Sequence, residues 1–577
     1  MDQGLLCVLT MTVGLQKPSN CNFQTYSFLI RLMTAPRIRS ALFTLVALLI
    51  CLPVIALISA WFEWNDTSAQ VLRELSETVL PNYTRTSFFL CLGVALGVCL
   101  LGTTTAAAVT LFEFPGRSFF VWALLLPMAM PAYVVAYAYT DFLQYSGPLQ
   151  NFIRQQFGIE GRVVPEVRSL GGAILVFSLA LYPYVYLLVR TSLSARASSL
   201  MEAARMLGAP LHRRILEVAL PLARPAMAAG MALALMETLA DFGVSSYFGI
   251  QTFTAGIYKS WLILDNRVAA AQLACLLLLV VFMLLYVEKK AESRMRFSSL
   301  RQGHSTNSLN QLGSLKFSHS WVVTAWCALP VVLGFALPVM LLLKSLLISE
   351  ISVDWARFIN WTLNSLQLST TTALLAVSVA LGLMFNLRTI QDKVARLTST
   401  LIGLGYAVPG AVVVVGLLLP VAWLQNHWPD SSLGSWMTAT VLGLIWAYLV
   451  RFCAVAIQTL QSGYASIPRS LDDSSRILGI SGVQLLSKVH IPLLQRSILA
   501  ALLLVFVDVM KELPVTLVLR PFNSDTLAVM AYQLARDERL GEAALPSLAL
   551  VLAGLIPVIL LSRAMRNENE TNHASVE

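Results

Sequence analysis

Long apolar runs separated by short polar connectors dominate this chain. Ten clear runs occupy 41–61, 87–112, 118–140, 170–189, 268–287, 321–347, 364–385, 397–424, 436–460 and 545–562. Two more, near 221–245 and 492–517, are interrupted by charged residues. A bilayer core of roughly 30 Å needs about 20 apolar residues per helix, so the pattern predicts twelve spans. The runs lack the apolar–polar alternation of a membrane barrel strand, whereas a helix satisfies its own backbone within the lipid. The expected fold class is an all-α membrane protein with about twelve transmembrane helices.

Composition agrees: 57% of the 577 residues are hydrophobic and 12% charged. Placing both termini inside puts 25 of the 40 basic residues in segments 1–40, 113–118, 190–217, 288–320, 386–396, 461–496 and 562–577, against 11 in the opposite loops. Cytoplasmic loops carry such an excess, so both termini are expected to be cytoplasmic. The net charge of +9 then reflects topology and gives no reason to invoke nucleic acid; the lipid bilayer is the expected surrounding. Eight scattered cysteines contain no CxxC pair and read as small apolar fillers. Residues 1–40 form an N-terminal cytoplasmic extension without the character of a signal peptide, and Met33 is an equally plausible start.

One stretch of sequence occurs twice. SLMEAARMLG at 199–208 returns as SLDDSSRILG at 470–479, an offset of 271. The same offset carries Pro221 onto Pro492, Glu237 onto Asp508 and Asp241 onto Glu512; an offset one larger carries Asp265-Asn-Arg267 onto Asp537-Glu-Arg539. Six spans per copy make the copies parallel repeats. The expected organisation is a first half at 41–297, a linker at 298–320 and a second half at 321–577. The linker is rich in Ser, Asn, Gln and Gly, which suits a flexible connector.

Within 199–224, Ser199 and Glu202 have capping-box spacing, Gly208 is placed to end a helix, and Pro221 suits the first turn of a span. The reading is two short helices bent at a glycine, the second over 212–218, and the same again with Ser470, Asp473, Gly479 and Pro492. Glu202-Ala203-Ala204, Gly208 four residues later and Pro221 thirteen beyond it resemble the EAA loop of binding-protein-dependent importer permeases. The second copy keeps Gly479 and Pro492 but has Asp473-Ser474-Ser475 for Glu-Ala-Ala. The resemblance implies a MetI-like permease fold in which both loops dock on ATPase subunits. No GxxxxGK[ST] motif is present, so ATP and Mg are expected on two copies of a separate ATPase, with no cofactor and no catalysis on this chain. The resemblance also implies a periplasmic binding protein as partner and a bacterial inner-membrane location.

Residues 131–150, 237–261, 265–274, 511–528 and 537–550 resemble the ferric-iron branch of these permeases; thiamine and aminoethylphosphonate permeases share the two-half layout. Glu237 and Asp241 lie four apart, as do Asp508 and Glu512, which on a continuous helix places each pair on one face. A helix rises about 24 Å from Pro221 to Glu237, putting these acids in the outer part of the membrane. They are candidate pathway or gate residues, with Lys511 expected to neutralise part of their charge; Tyr137, Tyr139 and Asp141 are further candidates. No metal ligands are assigned. A twelve-helix secondary transporter is the alternative class, and it would need no EAA loops.

Overall fold

The computed structural model describes residues 36–59, 61, 66–158, 161–300, 313–314, 317–348, 354–390, 393–429 and 432–574. The proposed alternative start at Met33 lies outside them. Among the described residues, eleven helices are long and apolar enough to cross a membrane. One further pair, Arg117–Ala129 and Ala132–Phe157, is apolar enough when taken together but bends by 89°, the geometry of a broken span or a re-entrant loop. The run at 118–140, read as one straight span, therefore bends. Its cause is local, because Pro127 sits in the 3-10 turn Leu126–Ala129 and Pro131 precedes the next helix, and neither can donate a backbone hydrogen bond. The run at 397–424 divides likewise into Lys393–Gly403, a turn at Gly405–Ala407 and Gly410–His427, the last preceded by Pro409.

The two charge-interrupted runs form helices that stop early. Leu220–Ala240 is followed by short helices at Gly243–Tyr247 and Phe253–Tyr258, and Ile491–Lys511 by Pro514–Leu519 and Leu527–Arg536. Thr252 and Thr526 cap the second short helix of each set through their hydroxyls. The first residue of each such helix also donates its N–H to a span serine, Phe253 to Ser87 at 3.4 Å and Leu527 to Ser365 at 2.9 Å. Positive φ falls at Asp265 and at Glu538, which shifts the expected pairing of Asp265 with Asp537 by one residue.

The chain forms two compact units that do not follow the sequence halves. One holds the described residues within 53–368, 407–447 and 510–574. In it, Leu220–Ala240 buries Ala223, Ala226, Ala229 and Gly230. A Cβ on Gly230 would stand 2.7 Å from the Val185 Cα, so this helix meets Leu170–Met206 backbone to backbone, as small residues permit between membrane helices. On Leu80–Leu111 the side chains of Leu92, Leu96 and Leu100 are exposed, a stripe at four-residue spacing that suits lipid. Parts of the 298–320 segment lie in regular structure. Helix 267–300 takes its first three residues, and Gly313–Ser314 pairs in parallel with Phe112–Glu113.

The other unit holds the described residues of 36–52, 369–406 and 448–509. Here Val441–Ala465 and Ile491–Lys511 approach at Gly463, where a Cβ would stand 2.4 Å from the Ser497 Oγ.

Candidate functional site

The first glycine loop grows directly out of a span. Helix Leu170–Met206 runs without a break through Glu202, Ala203 and Ala204 and is capped far upstream, where the Ser169 hydroxyl accepts from the Gly172 N–H. The backbone at Ser199 is therefore mid-helix and not at the expected N-cap position; nothing between 191 and 199 (TSLSARASS) is a Pro or Gly that would stop the helix. The helix ends as expected. Gly208 has φ +78°, its N–H bonds to the Arg205 carbonyl, and the Ala209 N–H bonds to the Ala204 carbonyl, the double bond pattern of a Schellman cap.

After Pro210 the chain turns helical again at Leu211, widens to a π-turn at Ile215–Ala219 and continues into Leu220–Ala240. The expected separate helix at 212–218 is thus the foot of the span itself. Pro221 explains the widening, since it cannot donate to the carbonyl four residues back and its ring crowds that position.

The second loop repeats this closing geometry residue for residue. Gly479 has φ +79°, its N–H bonds to the Arg476 carbonyl and the Ile480 N–H bonds to the Ser475 carbonyl. A π-turn at Leu486–His490 precedes Pro492, at the same offset of 271. In both loops the two residues before the glycine are apolar and open to solvent: Met206 is 89% and Leu207 88% exposed, Ile477 86% and Leu478 77%. Sequence reasoning passed over this doubled apolar tip, although MLG and ILG stood in the repeat.

The loops differ where they begin. In the second half the span Val441–Ala465 stops and a separate helix, Arg469–Ile477, starts after Pro468. Ser470 lies inside that helix, so the second expected capping box is absent. Asp473, matched to Glu202 by the repeat, is exposed and lies 3.6 Å from Arg476. The buried acid is its neighbour Asp472. Arg388 approaches the Asp472 carboxylate with Nε at 2.6 Å and Nη2 at 3.1 Å, and His490 Nε2 stands 3.0 Å from Oδ1. The remaining guanidinium hydrogens go to the carbonyls of Tyr464, Ile467 and Pro468. Burial works to raise the Asp472 pKa, but the hydrogen bonds from Arg388 and His490 outweigh it and hold the carboxyl below its ordinary value.

A second cluster occupies the larger unit. Asp241 is not on a helical face with Glu237: the helix ends at Ala240, and the Asp241 carboxylate accepts from the Val244 N–H at 2.8 Å. Glu512 follows Lys511 in the same way, and its carboxylate accepts from the Val515 N–H at 3.3 Å. Each matched acid thus caps a break that follows its span, while Glu237 and Asp508 remain on the helices and are half-buried. Around Asp241 and Glu512 stands a wall of aromatic rings. Phe242 lies 4.3 Å from Tyr258 and 5.8 Å from Tyr532, and Tyr137 lies 4.6 Å from Tyr247. The sequence halves are stitched here by Ser246 to the Tyr532 hydroxyl at 2.8 Å and by the Tyr258 hydroxyl donating to the Pro514 carbonyl at 2.7 Å.

Lys511 donates to the Met128 carbonyl at 3.1 Å. Tyr137 and Asp141 line a small cavity with Ser345 and Ser547, and the Tyr137 hydroxyl is buried without a hydrogen-bond partner, as is that of Tyr133. Tyr139 is buried and donates to the Leu333 carbonyl. All three tyrosines are buried within the protein. Among the described residues no group of three or more His, Cys, Asp or Glu is placed to hold a metal ion.

Two segments, 98–297 and 375–567, each match one family model, described as "Binding-protein-dependent transport system inner membrane component". The chain is 25% identical over 528 residues to the Fe(3+)-transport system permease protein FbpB 2 of Haemophilus influenzae, covering 90% of this chain and 97% of that one. It is 23% identical over 525 residues to the ferric transport system permease protein FbpB of Actinobacillus pleuropneumoniae, covering 86% and 72%. A Salmonella typhimurium permease protein named for 2-aminoethylphosphonate transport matches over 201 residues at 26% identity, covering 34% of this chain and 70% of that one.

Proposed function

Because this chain belongs to the family of inner membrane components of binding-protein-dependent transport systems, we propose that it carries ferric iron inward as the two-half permease of an ATP-binding-cassette importer. One observation carries the mechanism: the glycine-ended loop, with its exposed apolar tip, occurs twice with the same hydrogen bonds. Met206-Leu207 and Ile477-Leu478 are the knobs that enter clefts on two ATPase copies, and the left-handed glycines fix the angle at which each knob is presented. The positive-inside bias supports a cytoplasmic side for both loops and both termini. ATP and Mg stay on the ATPase subunits, and a periplasmic binding protein delivers the cargo.

Each loop leads through a π-turn into a span that ends at a capping acid, Asp241 or Glu512. A tilt imposed at a loop therefore reaches the break at the far end of the same helix. There the acids, the tyrosine hydroxyls and the seam between halves make a polar gate, with Glu237 on the helix that leads to it; Asp508 holds the matching position on the second helix. Oxygen donors suit a hard cation, and a site of few charged ligands suits one that must be released.

Similarity along nearly the whole chain to two ferric permeases supports iron over the phosphonate, whose named relative matches about a third of it. The deciding experiment is uptake by cells that lack other iron importers and express this chain with its ATPase and binding protein. Ferric iron accumulation that disappears when the ATPase is omitted is the expected result. Uptake of 2-aminoethylphosphonate or thiamine, with none of iron, would overturn the cargo and leave the importer reading intact.

A further inference from the structure

The two glycine loops close identically but are anchored by different physics. In the first half the helix Leu170–Met206 passes through the loop unbroken, so span and loop move as one rod. In the second half three residues, 466–468, separate the span Val441–Ala465 from the loop helix Arg469–Ile477. Short non-helical links of this kind act as hinges. A helix of nine residues is too short to hold its own position in water.

Something else must then fix its direction, and the buried groups supply it. The Arg388 side chain is 10% exposed, that of Asp472 8% and that of His490 0%. Arg388 comes from the span Trp355–Ile390, and His490 is the last residue of the π-turn leading into Ile491–Lys511. The guanidinium lies 5.5 Å from the Tyr464 ring, and the Tyr464 hydroxyl is 3.3 Å from His490 Nδ1. Besides the carboxylate, Arg388 binds the carbonyls of Ile467 and Pro468, within the link itself. The offset of 271 maps Asp472 onto Met201 and His490 onto Ala219, both buried and apolar. The polar anchor thus has no counterpart at these positions of the first loop, where helix continuity makes one unnecessary.

We infer that Arg388, Asp472 and His490 form a buried latch that positions the second loop helix against three spans of its own half. They are positioning residues, and Asp472 rather than Asp473 is the acid that matters there. What the loop couples to rests on the importer reading above; the latch itself does not. Removing one partner of a buried ion pair leaves the other charge unmatched, which is strongly destabilising locally.

The test uses the full chain carrying a spin label at an exposed position of the loop helix, Ser470→Cys, first in proteoliposomes without the ATPase. Asp472→Asn is expected to convert the label from an ordered to a mobile spectrum, and His490→Gln to do so in part. Reconstituted with ATPase and binding protein, Asp472→Asn is expected to lower cargo moved per ATP hydrolysed by at least about tenfold, with the ATPase still bound. If Asp472→Asn fails to accumulate, His490→Gln is read alone on the same two measurements. An ordered spectrum together with unchanged cargo per ATP would overturn the latch. Cargo movement that needs no ATPase would instead overturn the importer reading, and the label spectrum would still decide the latch.

Discussion

Gly208 and Gly479 concentrate the account into two residues. Their φ values of +78° and +79° lie where a side chain is opposed by its own backbone, a cost of about 1–2 kcal/mol for a residue with a Cβ. Nothing lies within 4 Å of an added Cβ at either position, so substitution strains the backbone and clashes with nothing. Gly208→Val is expected to leave membrane insertion intact while uncoupling ATP hydrolysis from uptake, as measured by both rates in the reconstituted complex. Gly479→Val should do the same and no more severely, because the second loop departs further from the Glu-Ala-Ala pattern. These glycines were legible in the sequence because their requirement is local. Asp472 was not. The repeat aligned Asp473 with Glu202, and only the packed structure shows which of two adjacent acids turns inward.

At the scale of the elements, periodicity located nearly every span and misjudged how several of them end. The runs at 118–140 and 397–424 contain prolines that break the helix, and the helices from the two charge-interrupted runs stop at Ala240 and Lys511. Window hydropathy is blind to such breaks, since the residues beyond them remain apolar. The acids mark the stops. Asp241→Asn with Glu512→Gln should remove charge from both caps and lower stability by about 0.5–2 kcal/mol each, read as a fall in the melting temperature of the purified protein. Neutralising Glu237 and Asp508 together leaves the caps in place. That variant is expected to depress cation uptake more than it affects folding or ATPase binding; normal uptake would reduce those acids to a bracing role. Helix approach offers an independent check. Gly230→Val places side-chain atoms where the Val185 backbone stands, and overpacking of this kind costs about 1–3 kcal/mol. Reduced accumulation and a lower melting temperature are expected, whereas a wild-type melt would contradict the tight crossing.

For the whole molecule, the internal repeat told more than any single motif. It fixed the parallel halves and paired the loops and the acids. Its fixed offset also held through the π-turns, which no propensity argument anticipates. What the repeat concealed is asymmetry: one loop helix is continuous with its span and the other is jointed. Repeats that diverge keep the contacts their partners require and are free to alter how those contacts are held. The central claim is that this chain is a passive path driven from outside by a separate ATPase acting on the two glycine loops. It is tested most directly by ferric iron uptake into proteoliposomes holding the chain, its ATPase and its binding protein, with and without ATP. The account predicts uptake only when all three proteins and ATP are present, and its loss when Gly208 and Gly479 are both replaced by valine. Iron uptake by the chain alone, driven by an ion gradient, would contradict it.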